Sequence, residues 1–200
     1  MFRTRLAISM LAGMASLAVP AFSQTETYRQ ELSAQAFGSF VKSTTQDGIE
    51  NKATKSAGVL GTYRIFFSKH HGVEADYGYS PNTQNYKWPN GGITGVKTWS
   101  HEVSGAYVFR MPFSKFTPFA LAGGGALIFQ PRNDGYAETQ ARAAFVYGGG
   151  ADFNVTHRIF LRAEYRGFVY NSPTYKLSTF SNLDRVAHRA EPSIGFGYRF

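Results

Sequence analysis

The sequence predicts an all-β fold, a closed eight-stranded antiparallel up-and-down transmembrane β-barrel formed by a single domain. Three observations support this prediction. Eight segments of the 200-residue chain alternate between apolar residues and small or charged ones, with the period of two that is typical of strands. The connections between these segments are short and long in turn. Glycine (21 residues) and aromatic residues (16%) are both abundant, as they are in membrane barrels.

The first residues of the chain are predicted to be a signal peptide and not a part of the barrel. Two arginines precede the uncharged apolar stretch Leu6–Val19, and a small-residue cleavage pattern follows that stretch. This arrangement is typical of Sec signal peptides, whereas a membrane anchor would need a longer apolar stretch. We expect cleavage before Gln24, so that residues 1–23 form the signal peptide and residues 24–200 form the barrel domain.

Four alternating runs lie in the first half of the chain. They cover Glu31–Phe40, Ala57–Phe67, Gly72–Ser80 and Thr98–Arg110. In each run the apolar residues share one face, which predicts a strand with that face in an apolar environment. The predicted apolar faces carry Leu32, Ala34, Ala36, Gly38, Phe40, Val59, Gly61, Tyr63, Ile65, Phe67, Val73, Ala75, Tyr77, Tyr79, Val103, Gly105, Tyr107 and Phe109.

Four more runs follow in the second half. They cover Thr117–Phe129, Arg142–Asn154, Ile159–Tyr170 and Arg185–Phe200. Their predicted apolar faces carry Phe119, Leu121, Leu127, Phe129, Ala143, Phe145, Tyr147, Ala151, Phe153, Leu161, Ala163, Tyr165, Val169, Ile194, Phe196, Tyr198 and Phe200. None of these segments keeps the 3.6-residue period of a helix, so we predict no helix in the barrel.

The connections between the runs also alternate. The short ones are Ser68–His71, Met111–Phe116 and Val155–Arg158. The long and polar ones are Val41–Ser56, Pro81–Lys97, Gln130–Ala141 and Asn171–Asp184. Short periplasmic turns and long external loops are typical of outer-membrane barrels, and an even number of strands returns both ends of the chain to the periplasm.

Three features predict that the apolar faces meet lipid and do not fill the inside, as they would in a soluble lipocalin-like barrel. The apolar set is too bulky for an eight-stranded lumen, which side chains only just fill. The glycine triplets 123–125 and 148–150 would relieve crowding in a small barrel. Aromatic residues near the strand ends match two interfacial girdles. The predicted girdle residues are Phe40, Phe67, Tyr79, Trp99, Phe109, Phe119, Phe129, Phe153 and Phe200.

The opposite faces carry a balanced set of charges, which we expect to point into the lumen. The predicted inward charges are Arg64, Arg110, Arg162, Arg166, Arg189 and Arg199, together with Glu74, Asp76, Glu102, Asp152, Glu164 and Glu191. Buried charges must pair, because an unpaired one is very costly. We therefore predict a lumen that is filled by salt bridges and not by a column of water. The predicted centre of a single network is Glu102, Arg162, Glu164 and Arg166, with Glu74 and Arg189 as neighbours.

The alternating segments Gly72–Tyr79, Leu161–Arg166 and Ile194–Phe200 resemble the OmpA/OmpX-type family of eight-stranded outer-membrane barrels. The resemblance covers residues 28–200 and the barrel domain only, so it implies no tether to the cell wall. Apolar and aromatic residues at alternate positions near the end of the chain resemble the β-signal that the barrel-assembly machinery reads. The predicted assembly signal is Ile194, Phe196, Tyr198 and Phe200.

The resemblance implies an outer-membrane protein of a Gram-negative-type bacterium with a structural or surface-interaction role. We expect a monomer that contacts outer-membrane lipid and, through its long loops, lipopolysaccharide or external partners. Basic residues outnumber acidic ones in those loops, as they do in the whole chain, which carries a net charge of +8. The barrel-assembly machinery and periplasmic chaperones are expected partners during biogenesis. We expect no nucleic acid, no cofactor and no metal; the histidines at 70, 71 and 157 fit polar turn residues.

Two alternatives remain open at this point. The lumen could form a narrow pore for small solutes, as in a porin-like protein. The chain could also be an enzyme that modifies lipid A, because Thr179–Asn182 with Glu191 resembles the His-x-Ser-Asn run of eight-stranded lipid A deacylases. Thr179 replaces the histidine base of that run, and His188 falls on the face opposite to Glu191, so Ser181 would lack an activating base. We therefore predict no catalytic residues.

Overall fold

The computed structural model of the protein describes residues 29–42, 44–46, 49–53, 56–87, 93–132, 139–171 and 186–200. The predicted signal peptide and the segment Thr179–Asn182 lie outside these residues. The strands in chain order are β1 (Gln30–Val41), β2 (Thr44–Gln46), β3 (Ile49–Ala53), β4 (Ser56–Phe66), β5 (His71–Lys87), β6 (Ile93–Arg110), β7 (Phe116–Pro131), β8 (Gln140–Asn154), β9 (Ile159–Asn171) and β10 (Val186–Arg199). Over the described ranges, no helix is both long enough and apolar enough to span a bilayer.

Eight of these strands close into a barrel. β1 pairs with β4 on one side and with β10 on the other, so that Leu32 lies opposite both Tyr63 and Tyr198. From β4 to β10, each strand pairs antiparallel with the next one in the chain. Closure leaves the barrel without an edge strand, and a β-structure must meet this condition to cross a bilayer. The predicted closed eight-stranded antiparallel barrel is confirmed.

Two of the predicted long connections contain residues that form strands. Within Val41–Ser56, β2 and β3 pair with each other and β3 pairs with β5. Within Pro81–Lys97, β5 and β6 remain paired as far as Lys87 and Ile93. The predicted boundaries were therefore wrong at this end of the barrel. Where a strand extends past the lipid, both of its faces meet water, so the apolar alternation ends although the backbone ladder continues.

Side chains alternate between the lumen and the outer surface along each strand of the barrel. On β4, for example, Leu60, Thr62 and Arg64 are buried, whereas Val59, which precedes Leu60, is 62% exposed. Seven of the eight barrel strands place their predicted apolar face on the outside, which gives the barrel an exposed apolar band. A lipid-facing wall requires such a band, since charged groups there would be strongly destabilising.

β7 is the exception to the predicted arrangement. Its large residues Phe119, Leu121, Leu127 and Phe129 point into the lumen, where none is more than 7% exposed. The outward positions in the middle of this strand are alanine and glycine. Because neither face of β7 carries a charge, hydropathy does not distinguish the two faces, and the bulk of the side chains led to the wrong assignment. The predicted girdle positions Phe119 and Phe129 are wrong for the same reason.

The lumen holds these large rings because glycine occupies neighbouring inward positions. A Cβ atom at Gly72 would collide with the ring of Phe66, and one at Gly197 would collide with the ring of Phe160. Within the triplet on β7, a Cβ atom at Gly125 would lie 2.8 Å from Cβ of Ser104 on β6. The outward Gly124 is different, because the nearest atom to its Cβ position is the carbonyl oxygen of Ala144, at 3.7 Å.

The two glycines on β7 provide a matched test of this packing. Gly125→Ala should destabilise the barrel by about 1–3 kcal/mol, the usual cost of an overpacked interior. Gly124→Ala should be neutral or slightly stabilising, because its methyl group would enter ordinary contact distance at the lipid face. Urea unfolding of both variants in detergent micelles measures the difference. Equal unfolding midpoints for Gly125→Ala and Gly124→Ala would contradict the packing described above.

Candidate functional site

Among the residues that the structure describes, thirteen buried charged side chains line the lumen, and none is more than 8% exposed. They are Arg64, Arg110, Arg162, Arg166, Arg189, Arg199, Glu31, Glu74, Asp76, Glu102, Asp152, Glu164 and Glu191. Twelve of them are the residues predicted to point inward, and the structure places all twelve on this surface. The sequence analysis missed Glu31, although its position next to the outward Leu32 puts it on the inward face.

One group of these residues, the lower cluster, lies towards the short turns. It consists of Glu31, Arg110, Asp152, Arg162 and Arg199. Glu31 contacts all three arginines, at 2.8 Å to Arg110 Nη1, 3.0 Å to Arg162 Nη2 and 3.0 Å to Arg199 Nε. Arg162 also donates from Nε and Nη2 to the two oxygens of Asp152, at 2.7 and 2.9 Å. This bidentate geometry holds the guanidinium in one orientation.

A second group, the upper cluster, lies closer to the long connections. It consists of Arg64, Glu74, Asp76, Glu102, Glu164, Arg166, Arg189 and Glu191. Arg64 joins β4 to two other strands, because its Nε atom lies 2.6 Å from Glu74 and its Nη2 atom lies 3.3 Å from Glu164. The bond to Glu74 joins two adjacent strands, because Arg64 and Glu74 are register partners on β4 and β5. The bond to Glu164 crosses the lumen and connects β4 to β9, two strands that share no backbone hydrogen bonds.

Arg166 and Arg189 continue the upper cluster. Arg166 lies 3.2 Å from Asp76 and 3.4 Å from Glu102. The other oxygen of Glu102 is 3.2 Å from Nη2 of Arg189, and the same Nη2 atom also pairs with Glu191. Two carboxylates thus share one guanidinium nitrogen.

Aromatic rings fill the space between the guanidinium groups. The guanidinium carbons of Arg64 and Arg162 lie 4.0 and 5.2 Å from the centroid of the Phe119 ring, so this ring contacts an arginine of each cluster. At the short-turn end, the guanidinium of Arg110 lies 3.4 Å from the centroid of the Phe66 ring. Contacts of this type are favourable when the cation is desolvated. The lumen is therefore filled by alternating ion pairs and rings.

The two clusters differ in charge. The lower cluster has three arginines and two carboxylates, whereas the upper cluster has three arginines and five carboxylates. Several carboxylate oxygens of the upper cluster also have no hydrogen-bond partner among the described residues. These are Oε1 of Glu74, Oδ1 of Asp76 and Oε2 of Glu191. The surplus of carboxylates over arginines is thus confined to the upper cluster.

The separation into two clusters corrects one prediction. Arg162 was expected to share a single network with Glu102, Glu164 and Arg166. It pairs instead with Glu31 and Asp152 in the lower cluster. The inward direction of Arg162 was predicted correctly, but the alternation along a strand does not give the height of a residue in the barrel. That height depends on the stagger between strands, which pairs Arg162 with Asp152 on β8.

The other candidate residues do not assemble into a site. His70, His157 and their neighbours occupy exposed turns, and no three His, Asp or Glu side chains in the described residues are placed to hold a metal ion. His188 lies on the outer surface, where its Nε2 atom is 2.7 Å from the hydroxyl of Tyr147, while Glu191 lies in the lumen. The barrel wall therefore separates these two side chains.

The outward face of β10 forms a continuous apolar surface next to β1. Ile194, Phe196 and Tyr198 of this strand, and Phe200 directly after it, are between 42% and 68% exposed. The rings of Tyr198 and Phe200 stack at 6.3 Å, and Phe200 also stacks on Tyr63 of β4 at 6.4 Å. The four residues of the predicted assembly signal thus form one surface at the β10–β1 seam.

Comparison with known proteins agrees with this description. Residues 9–200 match the family model described as outer membrane protein beta-barrel domain. A 22 kDa outer membrane protein of Rhizobium leguminosarum bv. viciae is 29% identical over 131 residues, which is 65% of this chain and 58% of that protein. The chain therefore aligns with less than two thirds of that relative.

Solved outer-membrane barrels share the fold. The chain superposes on Neisserial surface protein A with a TM-score of 0.62 at 15% identity, covering 86% of this chain and 97% of that one. For OprG of Pseudomonas aeruginosa the TM-score is 0.61 at 13% identity, with 86% and 96% covered. For Ail, the attachment invasion locus protein of Yersinia pestis, it is 0.56 at 20% identity, with 87% and 100% covered.

The closed barrel, its apolar outer band and its charged lumen define an integral outer-membrane protein. The chain belongs to the outer membrane protein beta-barrel domain family. Its localisation in the outer membrane, predicted from the loop pattern, is confirmed by the family and by the Rhizobium relative. In such barrels the short turns face the periplasm and the long connections face the outside of the cell.

The two clusters predict different coupling energies in double-mutant cycles. Glu164→Gln should remove one of the two carboxylate partners of Arg64 and destabilise the barrel, and the further cost of Arg64→Gln should be smaller in that background than in the original protein. We expect a coupling energy of about 0.5–3 kcal/mol for this pair, as is usual for residues in one ion-pair network. The matched control is Arg162→Gln, which lies two positions from Glu164 on the same strand face but in the other cluster. Urea unfolding should give Glu164 and Arg162 a clearly smaller coupling, and equal couplings would contradict the separation of the clusters.

Proposed function

We propose that the protein is a closed, monomeric outer-membrane barrel with a structural and surface-interaction role, and that its extracellular end binds the phosphate groups of lipopolysaccharide. The barrel anchors and orients the extracellular segments, and transport through its lumen is not part of its function. The single observation that carries the proposal is the segregation of charge between the lumen and the outer surface. This segregation of charge has two consequences, one for the lumen and one for the extracellular end of the barrel.

The filled lumen supports the closed state. All six lumen arginines pair with carboxylates, and rings such as Phe66, Phe119 and Phe160 pack against their guanidinium groups. Opening a path would separate several of these ion pairs, and removing one partner of a buried pair typically costs about 3–5 kcal/mol. The network therefore acts as a plug that also connects opposite walls of the barrel.

The extracellular end supports the interaction with an anionic surface. The outer rim consists of Lys42, Lys97 and Arg132, which are all exposed. Lys97 on β6 and Arg132 directly after β7 are neighbours, since the backbone N–H of Arg132 donates to the carbonyl of Lys97 at 2.8 Å. The guanidinium of Arg132 lies 4.9 Å from the centroid of the Trp99 ring, an aromatic residue that fits the membrane interface.

No acidic side chain that the structure describes is exposed beside the outer rim. Every Asp and Glu whose side chain the structure describes is buried in the lumen. The exposed charge at the extracellular end is therefore basic over the described residues. Lipopolysaccharide presents phosphate groups at this level of the membrane, and arginine and lysine are the side chains that bind phosphate best.

The arrangement of His188 and Glu191 supports a non-enzymatic role. A hydrolase of the kind considered above would need a base, a carboxylate and a nucleophile in mutual contact. His188 instead contacts Tyr147 on the outer surface, whereas Glu191 pairs with Arg189 inside. We therefore propose that the protein has no catalytic residues.

One observation favours a second function, a narrow pore for cations. The upper cluster has more carboxylates than arginines, and it contains carboxylate oxygens without hydrogen-bond partners in the described residues. A surplus of carboxylates in a lumen attracts cations and repels anions. Steady single-channel currents across a planar bilayer would favour this pore, whereas the closed barrel predicts none.

We also propose that the outward face of β10 serves as the assembly signal. Its alternating large apolar and aromatic residues lie beside β1, at the seam where the barrel closes. This surface supports recognition by the barrel-assembly machinery, with periplasmic chaperones holding the chain before insertion.

Removal of the outer rim tests the interaction with lipopolysaccharide. The triple variant Lys42→Gln, Lys97→Gln and Arg132→Gln should bind lipopolysaccharide at least about tenfold more weakly, because each basic residue near an anionic lipid surface contributes about 1 kcal/mol. Thermophoresis of the labelled protein with purified lipopolysaccharide measures the change. A charge-conserving variant, Lys42→Arg and Lys97→Arg, should bind as the original protein does. Unchanged affinity of the glutamine variant would overturn the proposal.

A further inference from the structure

Each of the three short turns at the periplasmic end presents a basic residue at its tip. Lys69 lies in the turn between β4 and β5, Lys115 in the turn between β6 and β7, and Arg158 in the turn between β8 and β9. All three residues are exposed. Arg29 supplies a fourth exposed cation at the start of β1, where its carbonyl accepts a hydrogen bond from Phe66 N–H at 2.7 Å. We call these four residues the periplasmic collar.

Local hydrogen bonds fix the turns that carry the collar. In the first turn, the Ser68 hydroxyl accepts hydrogen bonds from the backbone N–H of His70 and His71, at 3.3 and 3.1 Å. In the third turn, the Thr156 hydroxyl accepts from Arg158 and Ile159 in the same way, at 3.2 and 2.9 Å. A hydroxyl that bonds the following backbone amides stabilises a tight turn. The basic tips are therefore held in defined positions.

The collar extends around the whole barrel. Its members lie at the β4–β5, β6–β7 and β8–β9 turns and at the β10–β1 seam, which are the four places where neighbouring strands meet at this end. Each quarter of the periplasmic rim thus carries one lysine or arginine. Among the described side chains of this rim, none is acidic, because Glu31 and Asp152 of the lower cluster are buried within the lumen.

The collar stands at the level of the membrane interface and does not project far into the periplasm. Each turn also exposes large apolar residues, such as Phe67, Phe113 and Val155, which are 62%, 53% and 60% exposed. The guanidinium of Arg158 donates from Nη1 to the hydroxyl of Tyr198 at 2.9 Å, on the lipid-facing side of β10. Exposed rings and interfacial tyrosines are favourable at the headgroup level of a bilayer.

From this placement we propose that the periplasmic collar binds the phosphate headgroups of anionic phospholipids in the periplasmic leaflet. Four exposed cations at headgroup height fit a ring of phosphodiester groups whose acyl chains cover the apolar band above. The collar thereby selects anionic lipids around the base of the barrel and fixes the depth of the barrel in the membrane. This surface is separate from the outer rim, so the inference does not depend on lipopolysaccharide binding.

The cysteine-free sequence allows a single probe to report on this end of the barrel. A fluorophore is attached to Ser114→Cys, an exposed position in the turn that carries Lys115. The labelled protein is placed in phosphatidylcholine nanodiscs in which either phosphatidylglycerol or phosphatidylcholine carries a quencher. We expect phosphatidylglycerol to be enriched at least about twofold next to the probe. The enrichment is the ratio of the quenching by labelled phosphatidylglycerol to the quenching by labelled phosphatidylcholine.

Substitution of the collar should abolish that preference. In the variant Arg29→Gln, Lys69→Gln, Lys115→Gln and Arg158→Gln, the ratio should fall to about one. The matched control Arg29→Lys and Arg158→Lys keeps the charge and should retain the enrichment. Heat-modifiable migration on SDS gels verifies that each variant is folded before it is measured.

Two further measurements distinguish binding of a lipid from binding of other anions. Millimolar inorganic phosphate should leave the enrichment unchanged, because a free anion lacks the acyl chains that place the headgroup at the collar. Loss of the enrichment in phosphate would overturn the assignment to lipid. The proposal also fails if phosphatidylglycerol shows no enrichment, if the glutamine variant keeps it, or if soluble peptidoglycan fragments bind at the collar and displace the lipid.

Discussion

Charge in the membrane-spanning part of this barrel is confined to the lumen, and every arginine there has a carboxylate partner. The alternative position for these residues is the lipid face, where a charge near mid-bilayer costs about 2–4 kcal/mol. An unpaired charge inside would also be costly, so burial and pairing have to occur together. This constraint determines the register of the strands, because a shift by one residue would move every charge to the lipid face.

The same constraint determines how the lumen is packed and what the two ends of the barrel present. The guanidinium groups pack against the rings of Phe66, Phe119 and Phe160 as well as pairing with carboxylates. Inward glycines such as Gly72 and Gly197 make room for the rings. Because the described acidic side chains lie inside, the exposed charge that the structure describes at both rims is basic. The outer rim and the periplasmic collar are thus consequences of the way the lumen is filled.

Alternation in the sequence was sufficient to predict the barrel, its lipid-facing side on seven strands and the inward direction of twelve charged residues. It failed on β7, where large and small residues alternate without charge, so that Phe119 was placed outside. It also failed to separate Arg162 from Arg166, since these residues share a face and differ only in their height along the barrel. The stagger between neighbouring strands sets that height. The stagger depends on which residues pair between strands, and the pattern of one strand does not contain this information.

The central claim is that ion pairs and rings fill the lumen, and the most direct test is the access of water-soluble reagents to a single cysteine. Ser104 lies inside, where its hydroxyl donates to Asp76 at 2.9 Å and lies next to Arg166. A cysteine at this position should react with a charged thiol reagent at least about a hundredfold more slowly than one at the exposed Ser114, because reaction requires access and a thiolate. Comparable labelling rates at the two positions in the folded barrel would show an open water path and contradict the account.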